Sequence, residues 1–384
     1  MNDVTIISYP GTNNSSLLSL SGSRSKYMLP FGGKFRVVDF TIANSINSKV
    51  DKTIIYSDVE DDLGEYVENY GPFEGMKFPP VRVIAGEYSN IRFCYNLIMD
   101  SNTDYYIIYN GDNPSIIDFS ELVRNFKSRR KTAVLYKLRF AKKATMAYTI
   151  LIANQKKILE VVNAAIDEGR ESPNMFEMII NMMLNRRIDI SVFDVQYWPL
   201  SNIPDYYFSN IEVLRNPDIF AFLYRGERVA TKIQTSGIAR IGMNARIVNS
   251  FISDGCEING EVLNSIVFPG VRIGDWTVIR DSIILPYVRI GSRSNIAKTV
   301  IDENLNREVE HLNIGNNCRV GSDGDQIKNN DFPRSIFKSI TLIGKDCDIP
   351  DGSAIGSACY VSSGLGRDYF FKRKHLYDGL SVTE

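Results

Sequence analysis

Three stretches read in register decide the fold of the second half of this chain: Asn249-Ser250-Phe251-Ile252-Ser253-Asp254-Gly255-Cys256-Glu257-Ile258, Asn264-Ser265-Ile266-Val267-Phe268-Pro269-Gly270-Val271-Arg272-Ile273 and Asp281-Ser282-Ile283-Ile284-Leu285-Pro286-Tyr287-Val288-Arg289-Ile290. Across them, Val267, Ile273, Ile279, Ile284, Ile290, Ile296 and Ile301 recur at intervals of six, six and five residues. Short strands of that period, each with one inward aliphatic side chain, stack into a parallel β-helix of triangular section. After Asp302 the period lapses into polar, Asn-rich sequence and returns at Ile340–Ile343, Ile349 and Ile355. This predicts an insertion near 303–337 that leaves the coil. Such a coil is a stacking scaffold, and repetition alone implies no activity.

Upstream of the coil the pattern changes to strand, helix, strand. Val4–Ser8, Thr53–Tyr56, Val81–Ala85, Asp104–Asn110, Lys131–Leu138, Met146–Ala153 and Ile188–Val195 read as strands. Between them, Asp61–Asn69, Asn90–Met99, Glu121–Arg130 and Met175–Leu184 read as helices, with Phe93, Leu97 and Ile98 facing inward on the second. The alternation argues for an α/β domain with a mostly parallel sheet covered on both faces. Domain boundaries follow at 1–225 and 226–384.

Three places in this half carry candidate chemistry. The first strand leaves into Tyr9-Pro10-Gly11-Thr12-Asn13-Asn14-Ser15-Ser16, where an α/β domain holds phosphates against backbone N–H groups, but Gly11 is a lone glycine and makes a poor cradle. Lys26 to Ser48 holds a Gly32-Gly33 turn flanked by Lys34 and Arg36, followed by a helix from about Asp39. Paired glycines let a partner approach the backbone and the cations suit an anion such as phosphate, while a surface turn with solvated charges accounts for the same residues. The strand ending in Gly111-Asp112 puts a carboxylate where open sheets place metal or ribose ligands, and Asp equally caps turns.

Composition sets the bounds. The chain has 384 residues, 44% hydrophobic and 23% charged, with a net charge of −1, which gives no reason to expect nucleic acid or an anionic membrane as a partner. No run of about 18 apolar residues and no basic-then-apolar leader occurs, so a cytoplasmic, soluble protein is expected. The five cysteines, Cys94, Cys256, Cys318, Cys347 and Cys359, lack zinc spacing and read as reduced, buried thiols. His311 and His375 are the only histidines, which argues against Ser-His-Asp or multi-His metal chemistry. An acyltransferase site in the coil would have to rest on His311 as general base, within the irregular insertion.

The segment Arg24-Ser25-Lys26 through Ser48, together with Val300-Ile301-Asp302-Glu303-Asn304 in the coil, resembles the signatures of the ADP-glucose pyrophosphorylases, enzymes that make the glucosyl donor for glycogen and starch. The resemblance covers nearly the whole chain. It implies a Rossmann-like nucleotidyltransferase domain followed by a left-handed β-helix. By the same resemblance Asp112 matches the first metal-binding Asp, and Lys26, Gly111 and Asp112 form a residual substrate pocket. Arg24, Lys34 and Arg36, with Lys298 beside them, match positions that bind anionic effectors.

The departures from that pattern are specific. The family's Gly-Gly-x-Gly-x-Arg-Leu loop is replaced by Tyr9–Ser19, and its Gly-Thr-Ala-Asp segment by Ile91-Arg92-Phe93-Cys94-Tyr95. Its Phe-x-Glu-Lys-Pro strand has no counterpart, and its Trp-x-Asp-Val-Gly-Thr becomes Trp198-Pro199-Leu200-Ser201, without the second metal-binding Asp. Losing one such charge-stabilising group typically costs about 2.7–4 kcal/mol. The resemblance therefore implies a non-catalytic regulatory subunit, needing no cofactor, that assembles with a catalytic paralogue into a heterotetramer and answers to sugar-phosphate or nucleotide effectors. The alternative is an active, Mg²⁺-dependent enzyme making ADP-glucose from ATP and glucose 1-phosphate.

Overall fold

The computed structural model describes all residues except 1–2, 12–14, 58, 60, 71–79, 86–89, 102, 140–148, 226–228, 233–236, 307–311, 325, 371–374 and 384. His311 and residues 146–148 of one expected strand lie outside the described residues.

The first half builds a seven-stranded sheet from β1 (Val4–Tyr9), β2 (Lys52–Ser57), β3 (Val81–Ala85), β4 (Tyr105–Asn110), β5 (Ala133–Arg139), β6 (Thr149–Asn154) and β7 (Asp189–Asp194). Their spatial order is β7-β5-β6-β4-β1-β2-β3. Every neighbouring pair is parallel except those made by β6, which runs antiparallel to both β4 and β5. The main helices are α1 (Val37–Asn47), α2 (Ile91–Ser101), α3 (Phe119–Ser128), α4 (Gln155–Asp167), α5 (Met175–Asn185) and α6 (Ile203–Arg215). Strand alternation sorts β1 between two cores: Ile7 and Tyr9 face α2, α4 and α5, while Val4 and Ile6 face α3. Buried faces on both sides are what the mostly parallel sheet requires. On α2 the inward set is Cys94, Leu97 and Ile98, whereas Phe93, expected inside, is exposed.

From Arg240 to Val382 the chain forms a parallel β-helix whose strands stack in three sheets of four, seven and seven. Val267, Ile284, Ile301, Ile343, Val361 and Val382 line one inner corner as a continuous ladder, with Ile273, Ile279, Ile290 and Ile296 in the same core. The expected insertion near 303–337 is corrected in one respect. Ile314 bridges Ile290 and Ile349, and Arg319–Val320 pairs with Asn295–Ile296 and Ala354–Ile355, so this stretch contributes two faces of a coil. A single aliphatic residue among asparagines completes a face without showing a period. The following excursion returns to the α/β domain, where Ser335 O accepts the Ile203 N–H at the start of α6.

The two halves share one core. Ile266, Ile283, Val300 and Leu342 point outward from the coil, each beside an inward neighbour, and pack with Leu29, Phe31, Phe35, Phe40, Trp198 and Tyr206 of the α/β domain. Among the described residues, no helix is long and apolar enough to cross a membrane.

Candidate functional site

β2 and β3 lie on one side of β1 and β4 on the other, so the strand order reverses between β1 and β4. The crevice beyond the carboxyl ends of such strands is where open α/β sheets take ligands. Gly11 follows β1 and Gly111-Asp112 follows β4. A Cβ at Gly111 would meet Ser8 Oγ at 1.9 Å, so the strand end can pack this tightly only with glycine there.

Asp112 is fully buried in this crevice. Its Oδ2 accepts the Gly11 N–H at 2.8 Å and lies 3.2 Å from the Lys26 ammonium, while Oδ1 accepts the Asn113 side-chain amide at 2.6 Å. Lys26, Gly111 and Asp112, expected together, are together. Asn113 Oδ1 in turn accepts the Leu200 N–H at 2.8 Å. The segment after Trp198 therefore reaches the Asp112–Asn113 pair through a backbone donor, Leu200 N–H. Trp198 itself is buried between Phe31 and Phe40.

Magnesium wants several oxygen ligands with free lone pairs, usually more than one carboxylate when phosphates are handled. Asp112 is already engaged by an ammonium and two N–H donors. Among the described residues no group of three His, Cys, Asp or Glu could hold a metal. The residues here do not fit Mg²⁺.

Beside Asp112, the described residues at the exit of β1 pack against α5. Asn174 Nδ2 donates to Pro10 O at 3.1 Å, pinning the exit of β1 to the N-terminus of α5. The Tyr9 ring stacks on Phe176 at 5.6 Å and Tyr56 meets Phe176 edge-on at 4.8 Å, all three buried. A cavity of about 940 Å³ lies elsewhere, by the end of α1 and the edge strand β7, and its lining includes none of Lys26, Gly111 and Asp112.

The four cations expected at an effector site are placed differently from one another. Arg24 is buried and bonded to Asp302 at 2.7 Å and Glu303 at 2.5 Å. Burial alone would lower its pKa, but those two carboxylates outweigh it and hold the guanidinium above its ordinary value. Lys345 completes the cluster, 3.4 Å from Glu303. Burial pushes the Asp302 carboxyl above the usual carboxylate range, with Arg24 opposing and Glu303 reinforcing. Burial is overcome at Glu303, whose carboxyl Arg24, Arg36 and Lys345 hold below the usual range.

Lys34 is half-buried, its ammonium 4.9 Å from the Phe35 ring centre and 5.1 Å from that of Tyr224, and its pKa is lowered by burial. Arg36 is also half-buried and donates to Met28 O, with Tyr66 beneath it at 5.8 Å. Lys298 sits in a left-handed turn before Thr299–Ile301, at the opposite end of that strand from Asp302. The Gly32-Gly33 turn, read either as admitting an anion or as a solvated surface turn, is packed against protein instead. Gly32 N–H donates to Asn210 Oδ1 at 2.8 Å and Ser253 Oγ donates to Gly33 O at 2.6 Å. Sequence reasoning missed the ion-pairing roles of Glu303 and Lys345 and the bridging role of Asn113. Asp302-Glu303 stood in view as a family signature, but nothing in one dimension links it to Arg24.

An α/β domain with a crevice at its switch point is thus fused through a shared core to a parallel β-helix. Residues 237–335 match the family model described as GlmU-like, C-terminal hexapeptide. Nearly the whole chain is similar to a protein of Pseudothermotoga lettingae named glucose-1-phosphate adenylyltransferase, at 26% identity over 97% of each chain. A protein of the same name from Acetivibrio thermocellus is 24% identical over 94% of this chain and 93% of its own. One from Mycoplasma mobile is 23% identical over 71% of this chain and 83% of its own. The resemblance to the ADP-glucose pyrophosphorylases thus extends from the signature segments to nearly the full length. The shared name does not separate a regulatory chain from a catalytic one.

Proposed function

We propose that this chain is a non-catalytic, regulatory subunit of ADP-glucose pyrophosphorylase in bacterial glycogen synthesis, acting on a catalytic paralogue within a heterotetramer. The observation that carries this reading is the state of Asp112. The carboxylate at the switch point is bonded to Lys26, Gly11 and Asn113, with Leu200 N–H standing where a second acid would be needed. A chain with this site influences turnover through its packing, by favouring one conformation of its partner. Lys34 and Arg36 keep partial exposure and are the cations an anionic sugar-phosphate or nucleotide effector would reach, whereas Arg24 serves the junction with the β-helix.

The test is pyrophosphate release from ATP and glucose 1-phosphate by the chain alone, by a catalytic paralogue alone and by the two co-expressed. The reading expects no turnover by the chain alone and a changed maximum rate or effector response in the mixture. It fails if the mixture behaves as the paralogue does. The names of the relatives favour a second reading, in which the chain itself transfers an adenylyl group. Turnover by the isolated chain, abolished in Asp112→Asn, would establish that one.

A further inference from the structure

Ser23, Arg24, Ser25 and Lys26 are four consecutive residues tied to separate distant parts of the molecule. Ser23 Oγ meets Lys345 Nζ at 3.1 Å, and Arg24 meets Asp302 and Glu303, all three partners belonging to the β-helix. Ser25 N–H donates to Asp61 Oδ2 at 2.7 Å, and Lys26 reaches Asp112 in the crevice. There is little slack between these anchors. Arg24 Nε donates to Leu20 O at 2.7 Å, and Ser25 Oγ caps the short 3₁₀ turn Lys26–Met28 by accepting the Tyr27 N–H at 3.1 Å. The Tyr27 hydroxyl is 2.6 Å from Ser8 Oγ on β1, and Arg24 through Tyr27 are all buried.

We propose that Ser23–Lys26 is a conformational strap: gripped by Asp302, Glu303 and Lys345 of the β-helix, it keeps the Lys26 ammonium seated on Asp112 at the switch point of the sheet. The charges explain why the grip and the seat stand or fall together. Arg24 and Lys26 are cations two residues apart, each buried against carboxylates from a different domain, and a buried ion left without its partner is strongly disfavoured. Moving the turn far enough to free one of them strains the other. A shift at one end of such a turn carries to the other, because packed interiors do not deform continuously. The strap is a property of the single chain and holds whether or not that chain turns over substrate.

The experiment is lysine footprinting of the intact chain with an amine-acylating reagent, read residue by residue by mass spectrometry. Lys131, half exposed just before β5, serves as the internal reference. In the unaltered protein Lys26, only 5% exposed, is expected to label far more slowly than Lys131. In Glu303→Gln and in the milder Lys345→Met, labelling of Lys26 relative to Lys131 is expected to rise about tenfold or more through local opening. Arg24→Lys, which keeps the charge, is expected to show a smaller rise than Arg24→Met. Should Arg24→Met fail to fold, Lys345→Met decides the matter, since Lys345 sits at the rim of the cluster. Unchanged protection of Lys26 in a folded Lys345→Met or Glu303→Gln protein overturns the proposal. So does a rise at Lys26 that is accompanied by rapid alkylation of Cys94, buried on α2 in the core shared with α4 and α5, which would show general loosening.

Discussion

The Phe251 ring of the first coil lies directly over Gly33, so that a Cβ there would come within 2.4 Å of a ring carbon. Gly33 also has φ of +95°, a conformation that side chains avoid. Gly33→Ala is therefore expected to lose about 1–3 kcal/mol of stability from overpacking, with backbone strain added. Urea denaturation checks it, and Phe251→Ala should cost less in the Gly33→Ala background than alone. Equal costs would mean that the ring is not the obstacle.

Arg24 joins the two domains from a fully desolvated position. Removing one partner of a buried ion pair strands the others, at a cost of about 3–5 kcal/mol. Arg24→Met should fall in that range by chemical denaturation. Neutralising the acids as well, in Arg24→Met with Asp302→Asn and Glu303→Gln, should recover part of it. A loss below about 1 kcal/mol for Arg24→Met, the level of an exposed pair, would contradict the buried geometry.

Asp39 accepts the Arg36 N–H at 2.8 Å and the Tyr66 hydroxyl at 2.8 Å, yet burial outweighs these bonds and pushes its pKa up to about 6. A carboxyl whose folded pKa is raised contributes stability that is fully present below its unfolded value and is lost as pH rises through the folded one. Over about two units, at about 1.4 kcal/mol each, that loss reaches about 3 kcal/mol. By denaturation midpoints, going from about pH 4 to about pH 7 should therefore lose the unaltered chain more stability, or gain it less, than it does Asp39→Asn. Asp302 shifts in the same direction and remains in both proteins, so the difference between them isolates Asp39.

The crevice makes a separate prediction about metal. With Asp112 bonded to Lys26, Gly11 and Asn113, thermal unfolding of the isolated chain should be unmoved by Mg²⁺ or by a chelator. A ligand that binds only the folded state raises its stability by mass action, about 2.7 kcal/mol at a hundredfold excess over Kd. A Mg²⁺-dependent rise that vanishes in Asp112→Asn would show that the carboxylate can be released.

All five cysteines are buried, and burial raises every thiol, Cys94 and Cys347 to about 12 and Cys256 and Cys359 to about 11. Thiols so far from ionisation are poor nucleophiles. A thiol-specific colour reagent should find no rapidly reacting group in the native chain and all five after denaturation. Fast reaction of any one in the folded protein would place it at an accessible surface.

Much of this was legible in one dimension, for identifiable reasons. The ladder Val267, Ile284, Ile301 is a local repeat, and each rung needs only its own aliphatic residue facing inward. That Val4–Ser8 is a strand is equally local, a short apolar run ending in a polar turn, whereas its sorting between two cores is a finding of the structure. The antiparallel course of β6 was not legible, because a buried strand carries the same residues in either direction. The coil faces at Ile314 and Arg319–Val320 were missed because single residues there do the work of a repeat.

The sequence by itself determined the two architectures, their order along the chain and the absence of a second acid after Trp198, since each follows from residue type and spacing. Only the tertiary structure decided what the cations do. Arg24, Lys34 and Arg36 look alike on the page, but charge expresses itself through partners, and partners are brought by folding. Asp302 and Glu303, more than 270 residues away, make Arg24 a joint between domains. Asp112 makes Lys26 the occupant of the crevice it borders. Phe251 and Ser253 turn a glycine pair that could have cradled an anion into the seam on which the two halves of the molecule meet.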